Sequence, residues 1–147
     1  MPALTFDDPL LRSWAFYSGL LMLKMLGMSI YTGATRMKHK AFANPEDGAT
    51  LKVKPRVDEN VERIRRAHLN DIENIPPFVV LSWLYVMTNP SAGFATMLFR
   101  AAAAGRFLHT LVYAVVPLPQ PARAIAFFVP YGICWYMGIQ AVMHFIS

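Results

Sequence analysis

The sequence has little charge and a single cysteine, and each shortage argues against a class of protein. Charged residues make up 16% of the chain, whereas ordinary soluble domains carry about 25%. One cysteine, Cys134, excludes an intramolecular disulfide framework, and its apolar neighbours indicate an inert core residue. We also expect no cleavable signal peptide, because the first residues, MPALTFDDPLL, are acidic rather than basic.

The sequence is rich in apolar side chains. Its 147 residues are 55% hydrophobic, with a mean hydropathy of +0.34. The length suits one domain, 1–147, and the composition favours a membrane protein. The net charge is +5, but nucleic-acid binding is a poor interpretation, because most of the remaining surface would be apolar. We therefore expect membrane lipid, and no nucleic acid, among the partners.

Four stretches are long enough to be membrane-spanning helices, at about 10–38, 59–88, 92–116 and 122–146. A helix of about 20 residues crosses a hydrocarbon core of about 30 Å. The predicted fold class is therefore an all-α membrane protein, a four-transmembrane-helix bundle. We expect Lys24, inside the first helix, to be directed at other helices or to snorkel. Pro76 and Pro77 are expected to kink the second helix.

The polar segment 39–58 is the only long loop, and basic residues flank it on both sides. The turn at Asn89, by contrast, has no Lys or Arg nearby. The positive-inside rule therefore places the loop 39–58 and the connector 117–122 in the cytosol.

Polar side chains form stripes on two of the predicted helices. At about 100° per residue, Arg66, Asn70 and Glu73 share one face of the second helix, and Arg63 lies one turn before them. Arg65 and His68 form an adjacent stripe on that helix. On the third helix, a further stripe contains Arg106, His109 and Tyr113. The predicted topology brings these stripes, with Arg36 and Arg123, to the cytosolic end of the bundle.

Arginines beside a glutamate suit a ligand that carries carboxylates and an amine, because guanidinium groups pair with carboxylates in bidentate fashion. Glutathione is such a ligand, and an adjacent arginine would also stabilise its thiolate. The competing interpretation is that these side chains anchor helices at the interface and form salt bridges within the membrane. Neither a metal-ligand motif nor a nucleophile or phosphate-loop motif occurs. The residues alone therefore predict a cationic, anion-binding site, with no metal.

Four segments carry a resemblance that covers nearly the whole chain: KAFANPED (40–47), VERIRRAHLNDIENIPPF (61–78), PLPQPARA (117–124) and FFVPYG (127–132). They resemble the membrane-associated proteins of eicosanoid and glutathione metabolism. The resemblance implies a homotrimer that binds glutathione as co-substrate between subunits and accepts hydrophobic electrophiles. It also implies the endoplasmic reticulum membrane, with the outer mitochondrial membrane left open, and a site facing the cytosol.

Carried over by position, the resemblance implies that Arg123 is the catalytic residue and stabilises the thiolate. The implied glutathione-binding residues are Arg36, Arg65, Arg66, His68, Asn70, Glu73, His109 and Tyr113. Asp47 in the ANPED segment is a weaker candidate, as are Arg63 and Arg106 by their places in the polar stripes.

Within the family, the segments are most similar to those of the type-one microsomal glutathione transferases. The prostaglandin E synthase branch has a serine after the arginine that matches Arg123, followed a turn later by an aromatic hydroxyl, and an arginine where this chain has Leu69. Here the first two positions are Ala124 and Phe127. Gly48 stands where known transferases carry a modifiable cysteine, which puts thiol-triggered activation in doubt. Glutathione conjugation, with reduction of lipid hydroperoxides as a related activity, is the predicted function. Glutathione-dependent prostaglandin E synthesis and a non-catalytic lipid-binding role are the alternatives.

Overall fold

A computed structural model describes residues 7–146 of the chain, and in that range the chain is built from helices joined by short segments. The helices are α1 (Pro9–His39), α2 (Pro45–Ala49), α3 (Glu59–Met87), α4 (Ala92–Thr110) and α5 (Ala122–Ile146), and a π-helical turn (Leu111–Val115) follows α4. The bounds of α1, α3 and α5 differ by at most one residue from the predicted helices at 10–38, 59–88 and 122–146. The predicted helix 92–116 is α-helical only to Thr110, where the π-helical turn replaces it.

Helix starts and ends follow from local chemistry. Asp8 caps α1 by accepting a hydrogen bond from the backbone N–H of Leu10 at 2.8 Å, and Pro9 occupies the first turn. At the other end, Lys40 adopts the left-handed conformation that ends α1. The last turn of α1 is basic, which complements the negative end of the helix dipole. α3 continues through Pro76 and Pro77, and the kink that we predicted there stays a prediction.

The core of the bundle joins all four long helices. Leu21 of α1, Ile75 of α3, Phe99 of α4 and Met137 of α5 are fully buried in one apolar cluster. Next to it, the rings of Trp14 and Trp83 lie 4.7 Å apart, and the Trp14 indole N–H donates to the Ser82 hydroxyl at 3.0 Å.

Small residues bring α4 close to α5. Ala102, Ala103 and Gly105 are buried on α4, as the Ala-rich sequence of this helix predicts. A Cβ atom placed on Gly105 would lie 2.8 Å from Cδ of Pro130, so the backbone of α4 packs against the proline ring at a distance that leaves no room for a side chain.

Large apolar side chains are also exposed around the bundle, and in the described range they include Phe16, Leu23, Ile30, Phe128 and Trp135. A surface of this kind suits lipid or another protein better than water. By length and apolarity, Ala122–Ile146 is the one helix among residues 7–146 that qualifies as a membrane span. The other long helices contain charged residues, such as Lys24 in α1 and Arg106 in α4. The four-span arrangement therefore stays a prediction.

We predict that Gly105→Ala destabilises the bundle, because the new methyl group meets the rigid ring of Pro130 and overpacking typically costs about 1–3 kcal/mol. Gly132→Ala is the matched control: it lies in α5, two residues after Pro130, and has no atom within 4 Å of its ideal Cβ position. Alanine should stabilise that helix by about 0.5–1 kcal/mol. Thermal unfolding in detergent measures both effects, and equal stability of the two variants would contradict the close contact.

Candidate functional site

Three aromatic and cationic side chains form a stack at one end of the bundle. The guanidinium carbon of Arg123, in the first turn of α5, lies 4.2 Å from the ring centroid of Tyr113. The Tyr113 ring in turn stacks on His109 of α4, with centroids 5.4 Å apart and planes inclined by 24°. A guanidinium over an aromatic face is attracted by the ring quadrupole. This stack therefore places the sequence-predicted catalytic residue over Tyr113, one of the predicted ligand-binding residues, whose ring stacks on a second, His109.

The π-helical turn Leu111–Val115 provides the middle member of this stack. Single π turns are frequent at functional sites. This one contains Tyr113 and begins two residues after His109. The turn ends where the N–H of Val116 donates to the Leu111 carbonyl at 2.8 Å. Pro117 follows and lacks the N–H that a helix would need to continue.

Several polar atoms at and below the stack have no hydrogen-bond partner within residues 7–146. They are Nδ1 of His109, Nε and Nη1 of Arg106 and Nε of Arg123. His109 and Arg106 are also buried, with exposed fractions of 5% and 3%. Buried polar groups are normally paired. These atoms therefore lack the polar partner that buried groups normally have, and residues 7–146 do not supply it.

A buried ionic cluster lies next to the stack, inside the bundle. The fully buried carboxylate of Asp71 accepts hydrogen bonds from both Lys24 and Arg106. Lys24 also donates to the Thr110 hydroxyl at 2.6 Å, and Arg106 donates to the side-chain oxygen of Asn70 at 2.8 Å. One carboxylate thus serves two cations, so the cluster keeps an excess of positive charge close to His109.

Lys24 is directed at α3 and α4, one of the two placements expected from the sequence. Sequence reasoning missed the role of Asp71, although the sequence carries a signal for it. On α3 the buried positions recur at helical spacing, and an acid occupies one of them; the stripe is Ile64, Ala67, Asp71, Ile75, Phe78 and Ser82. A carboxylate on a buried face requires a cationic partner.

The remaining predicted site residues face solvent or make contacts with other residues within this single chain. Arg65, Arg66 and Glu73 are exposed on α3, and Arg65 pairs with Glu62 at 2.8 Å. Of the others, Arg36 and His68 are half-buried, Arg63 lies 3.8 Å from Glu59, and Asp47 accepts a hydrogen bond from Asn44 at 3.1 Å in α2. The structure therefore brings together His109, Tyr113 and Arg123, and joins Arg106 to Asn70, but it does not collect the whole predicted set in one chain.

Glu73 stands at the rim of an apolar groove between α3 and α5. The groove has a volume of about 470 Å³. Its lining is almost entirely apolar and includes Glu73, Asn74, Pro77, Leu81, Tyr131, Cys134 and Trp135. A cavity with this lining suits a hydrophobic molecule. No group of three His, Cys, Asp or Glu residues in the described range could hold a metal ion.

Asp58 connects the polar loop 39–58 to the start of α3 through hydrogen bonds and ion pairs. Its carboxylate accepts hydrogen bonds from the N–H groups of Asn60 and Val61, and lies 3.1 Å from Arg56 and 3.4 Å from His39. Partial burial of this carboxylate acts to raise its pKa, but the two backbone hydrogen bonds and the nearby cations together hold the pKa below its usual value.

Comparisons with known proteins show which family and which proteins this chain resembles. The MAPEG family model matches residues 14–143 of the chain. Microsomal glutathione S-transferase 1 of Mus musculus is 44% identical over 140 residues, covering 91% of this chain and 90% of that protein. The Homo sapiens protein of the same name has the same identity and coverage. Prostaglandin E synthase of Homo sapiens is 39% identical over 145 residues, covering 95% of this chain and 94% of that protein.

We predict that Asp71→Asn destabilises the protein far more than Lys24→Met. Losing the carboxylate leaves two buried cations unpaired, which costs about 3–5 kcal/mol when a buried ion pair is broken. Losing Lys24 leaves Asp71 paired with Arg106, so the loss should stay near 1 kcal/mol, the usual size for a point mutation. Chemical unfolding of both variants in detergent measures the difference. Equal losses of unfolding free energy in the two variants would contradict the interpretation that Asp71 is the shared partner of both cations.

The Asp58 contacts predict a pH dependence. A carboxylate with a lowered folded-state pKa contributes stability that is present above its unfolded pKa of about 3.9 and is lost as the pH falls through the folded pKa. Asp58→Asn should therefore lower the melting temperature at pH 7, and the difference from the unmodified protein should shrink and vanish as the pH falls through the lowered folded-state pKa. Glu46→Gln, on an exposed residue of α2, is the control. A difference that persists unchanged in acid would contradict the ionic contribution.

Proposed function

Because the chain belongs to the MAPEG family, we propose that it is a membrane-bound glutathione transferase that conjugates glutathione to hydrophobic electrophiles. The observation that carries the proposal is the placement of Arg123 over Tyr113, whose ring stacks on His109, next to buried polar atoms that lack partners within residues 7–146. The identity with microsomal glutathione S-transferase 1 supports the same activity, with glutathione as co-substrate.

The chemistry starts from ionisation of the glutathione thiol. A free thiol has a pKa of about 8.5, so only a few per cent is thiolate at pH 7. Arg123 would stabilise the thiolate, and a lowering of the thiol pKa by about two units corresponds to about 2.7 kcal/mol. The released proton goes to water, because Arg123 remains protonated throughout.

The thiolate sulfur then forms a bond to the electrophile. With a chloronitrobenzene, a carbon–sulfur bond forms and chloride leaves with the bonding electrons. With a lipid hydroperoxide, two glutathione molecules are oxidised to the disulfide while the peroxide is reduced to an alcohol and water. The excess positive charge near His109 would favour the anionic sulfur in both reactions.

Glutathione would be held by groups that match its charges. Arginines pair with its two carboxylates and Glu73 pairs with its ammonium. The full proposed set is Arg36, Arg65, Arg66, His68, Asn70, Glu73, His109 and Tyr113, with Asp47, Arg63 and Arg106 as weaker members. Arg66 and Glu73 are exposed in the single chain, which agrees with a site that a second subunit completes. We therefore propose a homotrimer with glutathione between neighbouring subunits.

The proposed setting is a membrane that four helices cross, with the site at the cytosolic side. The basic residues at the end of α1 support this orientation, and the exposed apolar surface supports contact with lipid. We propose the endoplasmic reticulum as the location and leave the outer mitochondrial membrane open. The apolar groove beneath Glu73 offers a hydrophobic electrophile a path from the lipid.

The prostaglandin E synthase relatives supply the competing function. Ala124 and Phe127 lack the hydroxyl groups that the resemblance places at these positions in that branch, which favours the transferase. A direct comparison gives the purified protein a prostaglandin endoperoxide and, separately, a chloronitrobenzene. We expect conjugation of the chloronitrobenzene to dominate, and faster isomerisation of the endoperoxide would reverse the assignment.

We predict that Arg123→Ala lowers the conjugation rate by about 10–25-fold at pH 7, because the thiolate loses about 1.4–2.7 kcal/mol of stabilisation and the bound thiol is then only a few per cent ionised. Arg123→Lys should retain part of the rate, since it keeps the charge but not the planar group that lies over Tyr113. Arg100→Ala is the matched control, because Arg100 is exposed and donates to the Tyr17 hydroxyl at 3.1 Å instead of joining the stack. Unchanged conjugation by folded Arg123→Ala would overturn the role of this residue.

A further inference from the structure

A second groove lies between the end of α1, the start of α3 and the π-helical turn. Its volume is about 370 Å³. Its lining residues do not include Arg123, Tyr113 or His109, and only Arg63 belongs to the candidate set discussed above. The groove is therefore separate from the ring stack, although both are built on the π-helical turn.

One side of this groove is cationic and polar. Lys38 and His39 come from the last turn of α1, and Asn60 and Arg63 come from the first turns of α3. The nearest carboxylates do not neutralise these groups fully. Glu59 approaches Arg63 only to 3.8 Å and is 82% exposed, and the single carboxylate of Asp58 lies between His39 and Arg56.

The other side of the groove is apolar. Its wall contains Ala34, Ile64, Ala114, Val115 and Pro117, with Tyr31 beside them. Ile30 and Val116, next in sequence to the lining residues Tyr31 and Val115, are also exposed apolar side chains. A small soluble anion could pair with the cationic side but would gain nothing from this wall. A molecule with an anionic head and a hydrocarbon chain matches both sides.

We propose that this groove binds an anionic phospholipid, with the headgroup among Lys38, Asn60 and Arg63 and the start of an acyl chain along the apolar wall. Basic clusters at the cytosolic membrane surface attract anionic lipids, and basic clefts between membrane helices hold their headgroups. A net negative headgroup is required, because a zwitterionic one has no net charge to offset the excess of cations on this side. The proposal rests on the proposed membrane setting, but not on the transferase chemistry.

The test measures lipid retention by the full-length purified protein. The protein in neutral detergent is equilibrated with equal amounts of phosphatidylserine and phosphatidylcholine, and the bound lipid is counted by native mass spectrometry. We expect phosphatidylserine to be retained at least fivefold over phosphatidylcholine. The double variant Lys38→Gln with Arg63→Gln should lose this preference.

The matched control removes the same number of charges from the same side of the molecule. Lys52→Gln with Lys54→Gln changes two exposed loop lysines that do not line the groove, and this variant should keep the preference. Equal loss in both double variants would show that the lipid responds to overall charge, and would overturn the groove assignment. The absence of any preference in the unmodified protein would also overturn it.

A second variant, which does not remove a charge, tests whether the groove binds a lipid or only a small anion. Ala34→Trp fills the apolar wall at an exposed position of α1. It should lower phosphatidylserine retention by a factor similar to that of the Lys38/Arg63 double variant, which keeps the proposal testable if that variant fails to fold. Inorganic phosphate and glycerophosphoserine, added as competitors at the lipid concentration, should not displace the lipid. Displacement by either would overturn the lipid assignment in favour of a simple anion site. Conjugation activity is not measured, so failure here is distinct from failure of the transferase proposal.

Discussion

The buried carboxylate of Asp71 is the interaction on which the rest of the bundle depends. Asp71 belongs to α3, and its carboxylate accepts hydrogen bonds from Lys24 of α1 and from Arg106 of α4. An unpaired charge inside an apolar bundle is costly, so this one acid fixes the depth and rotation of three helices relative to one another. Arg106 in turn reaches Asn70, and Thr110 binds Lys24 directly before the π-helical turn begins.

The ring stack depends on that anchoring. Arg106 and Thr110 hold α4 in place, and His109, which lies between them in the sequence, is buried. The π-helical turn then places Tyr113 against the His109 ring. Tyr113 also packs on the small apolar cluster of Met28, Ile64, Ala67 and Ala114. These contacts hold the ring in place, and Arg123 lies over it at 4.2 Å from the centroid. The excess of cations over carboxylates then leaves this end of the bundle suited to an anionic sulfur.

The sequence predicted the long helices well, because apolar length, capping residues and prolines are local signals. It also predicted the contact between the small residues of α4 and its neighbour, since Gly105 has no side chain to hold the helices apart. The π-helical turn could not be predicted, because nothing in LVYAV distinguishes it from an α-helical turn. Asp71 was overlooked because it lies among the charges of ERIRRAHLNDIEN, and only the spacing of buried neighbours separates it from them. The positions of Arg66 and Glu73 relative to Arg123 depend on how subunits meet, which helix periodicity does not encode.

The most direct test of the central claim is a pH titration of the ultraviolet absorbance of glutathione thiolate bound to the purified protein. The bound thiol should ionise with an apparent pKa about two units below the value of about 8.5 for a free thiol. A bound thiol that ionises at the same pH as free glutathione would contradict a cationic site that stabilises the thiolate.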